Sequence, residues 1–331
     1  MSESSPVMTI GSLCSGYGGL DMAAVAHYGG EVQWVSDNYP GCVTLLASHH
    51  PTIPNLGDLT EVNWADVEPP DLVTAGFPCQ PVSYASILRK GLHDDRWIWD
   101  SIAEALRILE PRRVLLENVP GLLTANGGHA ICNVLHDLSR LGFDAEYGIV
   151  RASDPPVFAP HKRARWFCVA TNTARPERRN AQLETVDTSA RRAAESGKRD
   201  RPPPVCNDNS LIGPRATTDP DERRRQDFRT WDRLGAAGDA QSFAAAFGPY
   251  GAAIERWANC LGRNPPYPTD ERGIRPEFVE FLMGLDAGHV CGLDLSRTDE
   301  LHILGNGVVW QQAALALTLL DPIPNHDQEA R

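Results

Sequence analysis

No apolar run in this chain approaches the ~20 residues a helix needs to cross a bilayer, which argues against a membrane-spanning segment. Residues Met1 to Pro6 have neither the positive region nor the apolar stretch of a secretory signal. None of the eight cysteines stands at CxxC or Cys/His ligand spacing, so neither a disulfide framework nor a metal site is indicated. The compartment expected is a reducing cytoplasm, and no membrane partner is expected. GxGxxG, the fingerprint of dinucleotide binding, is missing, and with it most of the case for a nicotinamide-dependent oxidoreductase. Internal repeats are absent.

Positive charge is scarce overall: 31 Lys and Arg stand against 43 Asp and Glu, a net charge of −12. The shortage is uneven. Residues 151–233 carry 18 basic and 12 acidic side chains, while the remainder carries 13 and 31. Screening limits each charge to a reach of about 8–10 Å, so a locally basic segment on an acidic body can still neutralise phosphates. With 331 residues, 42% hydrophobic and 22% charged, the chain has the composition of a globular protein. It is long enough for one large core and a second lobe.

From Val7 to Ala170, short apolar runs alternate with helical stretches, the pattern of a doubly wound α/β sheet. Strands are expected at Met8–Leu13, Gln33–Ser36, Leu72–Ala75, Val114–Leu116 and Arg165–Ala170. Helices are expected at Leu20–Tyr28, Cys42–His49, Trp97–Leu109 and Ile131–Leu141. Beyond Thr171 the character changes. Residues 171–230 are rich in Arg, Ala, Asp and Pro and too poor in large apolar groups to offset their ordering entropy, and so read as a flexible insertion. A small helical lobe is expected at 231–257, a helix at 276–285, and an apolar helix at Gln311–Leu320 packing back on the sheet. The tail from Asp321 is polar.

In an open α/β sheet, ligands bind beyond the carboxyl ends of the strands. Two strands end there on reactive side chains: Gly76-Phe77-Pro78-Cys79-Gln80 on a thiol, Leu115-Leu116-Glu117-Asn118-Val119 on a carboxyl. A thiolate can add to an electron-poor ring, and a buried carboxyl, its proton affinity raised, can protonate a ring nitrogen. His161-Lys162-Arg163-Ala164-Arg165 offers cations that would favour the thiolate, and alternation puts Arg163 and Arg165 on one face of an extended chain. The turn Ser15-Gly16-Tyr17-Gly18-Gly19 allows close approach of a nucleotide-type cofactor. Asp37 is placed to accept from a ribose diol and Asp58 from an adenine amino group. Each acid read singly is as well explained as a helix cap or an ion-pair partner.

Together these segments resemble the cytosine-5 DNA methyltransferase family, prokaryotic or phage type. Its ordered motifs are matched by Ser12–Gly19, Asp37, Gly57–Leu59, Gly76–Ser83, Gly91–Arg96, Glu117–Val119, His161–Arg165, Arg275–Gly284 and Leu304–Val309, over about 300 residues. The resemblance implies a class I methyltransferase (Rossmann-like) α/β fold with a mostly parallel sheet and a smaller target-recognition domain. Residues 1–170 with 300–322 would form the catalytic domain, 171–299 the target-recognition domain, and 323–331 a loose tail. It implies S-adenosyl-L-methionine as methyl donor, held by Ser15, Gly16, Gly18, Asp37, Asp58, Pro78 and Asn306. Catalytic roles fall on Cys79, Glu117, Arg163 and Arg165, with Arg165 on the ring O2 and Arg163 steadying the Cys79 loop. The partner implied is double-stranded DNA, bound by a monomer, in a restriction–modification or solitary modification setting. A tRNA cytosine-5 methyltransferase and a non-catalytic DNA-binding module are the rival readings. Which of Arg223, Arg224, Arg225, Arg229, Arg256 and Arg263 read bases is left open. The chain departs from the family pattern at Cys14, where Phe is common, at Asp37 for Glu, at His161 for Gln, and at Trp310 for Pro.

Overall fold

A computed structural model describes residues 7–78, 97–172 and 247–322. All of these fall within one compact unit. Its centre is a six-stranded sheet in the order β2-β1-β3-β4-β6-β5. The strands are β1 (Thr9–Leu13), β2 (Glu31–Ser36), β3 (Leu72–Gly76), β4 (Arg113–Asn118), β5 (Phe143–Arg151) and β6 (Ala164–Asn172). The first four run parallel; β6 is antiparallel to both β4 and β5. The mixed α/β, mainly parallel fold expected from the pattern is the fold observed.

Both faces of the sheet are covered, which is why its strands read as continuous apolar runs. Alternation still sorts the side chains. On one face Leu13, Val114, Leu116, Trp166 and Cys168 pack under helices α3 (Trp99–Leu109) and α4 (His129–Arg140). On the other, Ile10, Leu115, Phe167 and Val169 pack against α1 (Gly19–Tyr28) and α8 (Trp310–Leu320). A third cluster joins α2 (Pro40–His49) to α5 (Gly251–Leu261), α6 (Pro276–Leu282) and α7 (Arg297–Asn306) through Leu45, Leu46, Trp257, Phe281 and Leu304. Residues 251–291 therefore share a core with α2, and α7 runs across position 300.

Of the elements named above, two escaped the sequence pattern. Strand β5 is an edge strand whose Asp144, Glu146, Tyr147 and Ile149 are exposed, so it lacks an apolar run. Helix α7 lies in a polar stretch of which only Ile303 and Leu304 are buried. One correction concerns hydropathy. Arg297–Leu320 has the length and mean hydropathy (1.4) of a bilayer span. The segment is broken at Gly307–Val309 into α7 and α8, and Ile303, Leu304, Val308, Val309, Ala313, Ala316 and Leu317 are buried in the protein. Its composition is that of core helices.

After β2 the chain returns to the other side of β1 to form β3, so the strand order reverses between β1 and β3. The carboxyl ends of these parallel strands open at that switch point, the usual place for a ligand in such sheets.

Candidate active site

A cavity of about 280 Å³ lies at those strand ends. Its walls come from the turn after β1, the ends of β2, β3 and β4, the start of β6, and the α7–α8 junction. In the turn, Gly16 and Gly18 have φ of +57° and +83°, values that favour glycine. The Ser15 hydroxyl donates to the Ser12 carbonyl and accepts from the Ser36 N–H, both at 3.2 Å, pinning the turn to the end of β2.

Asp37 follows β2. One carboxylate oxygen accepts the Gly16 N–H and the other the Tyr39 N–H, each at 2.9 Å. Burial raises its proton affinity against these hydrogen bonds. A carboxylate has about four acceptor positions, so each oxygen keeps capacity for a hydroxyl of a diol. The cavity thus combines a close-approach glycine turn, a diol-accepting carboxylate and apolar walls including Leu13 and Phe77. This donor and acceptor set fits an adenosyl group.

Opposite the turn, Glu117 is 7% exposed and ion-paired with Arg165 at 2.9 Å. Burial pushes its carboxyl up, and the Arg165 and Arg163 charges oppose that rise. In register, Glu117 lies beside Gly76 at the end of β3. The side chain of Asn118 donates to the Phe77 carbonyl at 3.2 Å, and Phe77 is wedged against Trp97 and Trp99. The end of β4 therefore fixes the backbone just before Pro78. Cys79 itself, with Gln80 to Arg96, lies outside the described residues, as do Arg223, Arg224, Arg225 and Arg229.

Of the residues singled out from sequence, Ser15, Gly16, Asp37, Pro78, Glu117, Arg165 and Asn306 all line this one cavity. Gly18, Asp58 and Arg163 do not line it. Gly18 caps α1. Asp58 accepts from Thr60 (2.9 and 2.7 Å) and from Asn38 (2.7 Å), bonds that hold its carboxyl below the usual range. Arg163 has φ +27° and precedes β6, so strand alternation with Arg165 does not apply to it. Its guanidinium donates to the carbonyls of Gly305 (3.1 Å) and Gly307, bracing the α7–α8 junction.

Some lining residues were not visible as such in the sequence. Tyr39 stacks on His302 at 4.5 Å and donates to Asp299 at 2.6 Å, and His302 contacts Asn306 at 3.0 Å. Tyr17 donates to the Val308 carbonyl, its ring filling the space a Cβ on Gly307 would need. The partners of Tyr39 and of Tyr17 stand more than 250 positions away, and no local signal links them. Two thiols also line the cavity, Cys14 and Cys42. Burial, followed by the negative charge of Asp37, pushes both up, which makes them poor nucleophiles. At the departures, His161 donates Nε2–H to the Leu282 carbonyl at 2.9 Å, and Trp310 donates to that of Gly284 at 3.0 Å.

A family model described as C-5 cytosine-specific DNA methylase matches residues 8–211. Among curated relatives, the type II methyltransferase M.BsuFI of Bacillus subtilis is 36% identical over 30% of this chain and 24% of its own length. M.MspI of a Moraxella species is 29% identical over 48% of this chain and 37% of its own. The matches thus span about a quarter to two-fifths of these relatives. Among solved structures, the S. pombe Dnmt2 methyltransferase aligns with a TM-score of 0.55 at 17% identity, over 95% of this chain and 98% of that one. The Entamoeba histolytica methyltransferase EhMeth gives 0.56 at 16%, with the same two coverages. These two likenesses establish the fold.

Proposed function

From the premise that this chain belongs to the C-5 cytosine-specific DNA methylase family, we propose that it methylates C5 of a cytosine flipped out of duplex DNA. S-adenosylmethionine is the donor, and the reaction passes through a covalent bond between Cys79 and ring carbon C6. The observation that carries the reading is the convergence, in one cavity, of a buried carboxyl paired with Arg165, a diol-accepting carboxylate, and the strand end that leads directly into Cys79.

When bound, S-adenosylmethionine supplies an electrophilic methyl group on its sulfonium. Ser15, Gly16, Asp37, Pro78 and Asn306 hold it, with Gly18 and Asp58 shaping the surrounding loops. Extruding the cytosine costs a few kcal/mol of stacking and pairing. The Cys79 thiolate pair forms the S–C6 bond, the C5–C6 π pair becomes the C4–C5 double bond, and the C4–N3 π pair takes up at N3 the proton that Glu117 delivers. C5 is left as the nucleophilic carbon of an enamine. Arg165 donates to O2, where negative charge grows. Once C5 is methylated, its proton departs to a base, the double bond re-forms, Cys79 leaves as thiolate, and the N3 proton returns to Glu117. Arg163 acts at one remove, by holding the Gly305–Gly307 backbone beside Asn306.

Residues 1–170 with 300–322 form the catalytic part in this reading. Residues 171–299 form the target-recognition part, its basic segment meeting phosphates. The enzyme acts as a monomer, in the cytoplasm at the DNA, within a restriction–modification system or as a solitary or phage-borne modifier. Bisulfite sequencing of host DNA after expression tests this: protected cytosines in one sequence context are expected. Unmodified DNA, together with methyl transfer to bulk tRNA by the purified protein, would install the tRNA reading instead.

A further inference from the structure

Asp21 is a buried carboxyl with no part in the reaction just described. It is 5% exposed and sits in the first turn of α1, where the helix N-terminus favours negative charge. It caps nothing: α1 has no side-chain cap hydrogen bond. Its oxygens instead accept from Ser12 Oγ at 2.8 Å and Thr74 Oγ1 at 2.5 Å. Ser12 on β1 and Thr74 on β3 are register partners at the switch point, and both line the cavity. The carboxyl therefore lies directly beneath the cavity floor, separated from it by two hydroxyls.

Burying a carboxylate is costly unless a cation or several donors compensate. Two hydroxyls are a modest return, and no salt bridge to Asp21 is found among the described residues. Burial accordingly raises its proton affinity in the free protein, the two hydroxyls opposing. A neutral amide could occupy the same place between two hydroxyls. The helix N-terminus and the two hydroxyls offset part of that cost, and positive charge arriving above the floor would offset more of it for a carboxylate than for an amide. The donor proposed for this cavity brings such a charge on its sulfonium, and the thioether left after transfer has lost it.

We propose that Asp21, acting through Ser12 and Thr74, is a positioning residue whose negative charge makes the cavity prefer the cationic sulfonium donor over its neutral thioether product. The inference rests on S-adenosylmethionine being the donor. It gives the site a means of releasing product and accepting a fresh donor without rearranging its walls, because the discriminating charge acts from below the floor.

The test is calorimetric titration of the full chain with S-adenosylmethionine and, separately, S-adenosylhomocysteine. Asp21→Asn should weaken binding of the sulfonium about tenfold, the scale of one partly screened charge pair, and leave the thioether within about twofold. Thr74→Val removes one hydroxyl relay while keeping the side-chain shape, and should shift the ratio in the same direction. It also decides the matter if thermal melting shows that Asp21→Asn does not fold. Equal loss of both ligands, or no loss of either, overturns the inference. Wild-type protein that binds neither ligand refutes the proposed donor itself, and is thereby distinguished from failure of the Asp21 inference.

Discussion

In the proposed reaction, Glu117 and Cys79 make opposite demands on protonation. The acid must hold a proton when the base arrives, and the thiol must have lost one. Burial raises the Glu117 carboxyl above its ordinary value, with Arg165 restraining the rise, so the protonated form persists to higher pH than for an exposed glutamate. Turnover should fall as pH rises through that elevated value. Glu117→Gln keeps a hydrogen-bond donor for N3 but supplies no proton. Its kcat is expected to fall by about 10²–10⁴-fold, and the descending limb of its kcat–pH profile should vanish. A surviving limb would assign the titration to another group. The nucleophile has its own check. DNA carrying 5-fluorocytosine lacks the C5 proton whose loss frees the enzyme, so intact-protein mass should show an adduct on Cys79. An adduct on pocket-lining Cys42, or on Cys168, whose thiol burial pushes up to about 12, would overturn the strand-end assignment.

At the scale of elements, the site depends on segments far apart in sequence meeting at the α7–α8 junction. Gly307 packs against the Tyr17 ring, Tyr17 bonds the Val308 carbonyl, and Arg163 holds the Gly305 and Gly307 carbonyls. Gly307→Ala would drive a methyl into that ring. A loss of about 1–3 kcal/mol in stability, the usual cost of overpacking, is expected by denaturant titration, with weaker donor binding. Unchanged stability would mean the junction shifts freely.

The same scale explains what could be read in advance. Strands β1, β3, β4 and β6 were legible because both faces are buried and their central residues are apolar or small. The acids and glycines after them were legible because strand ends in such sheets are where chemistry sits. Strand β5 was not, since an exposed edge imposes no pattern, and neither were Tyr39, His302 or Tyr17. Their neighbours are set by packing between distant helices. Arg163 escapes the alternation because it stands one residue before the strand begins.

For the molecule as a whole, the proposed function requires an acidic protein to engage a polyanion. Net charge is −12, yet 151–233 holds six more basic than acidic side chains. Beyond a Debye length of about 8 Å at physiological salt, the acidic body contributes little to an exposed contact, so a local patch decides. If this segment meets the backbone, each phosphate neutralised should add about 0.9 to the slope of log affinity against log salt. Replacing Arg223, Arg224, Arg225 and Arg229 with alanine should flatten that slope, measured by fluorescence anisotropy on duplex DNA between low and physiological salt. Donor affinity should stay unchanged, because the residues proposed to hold the adenosyl group lie in the turns beyond the strand ends. A slope identical to that of the wild type would place the phosphate contacts elsewhere. Loss of one base preference with an unaltered slope would instead make these arginines readers of the groove.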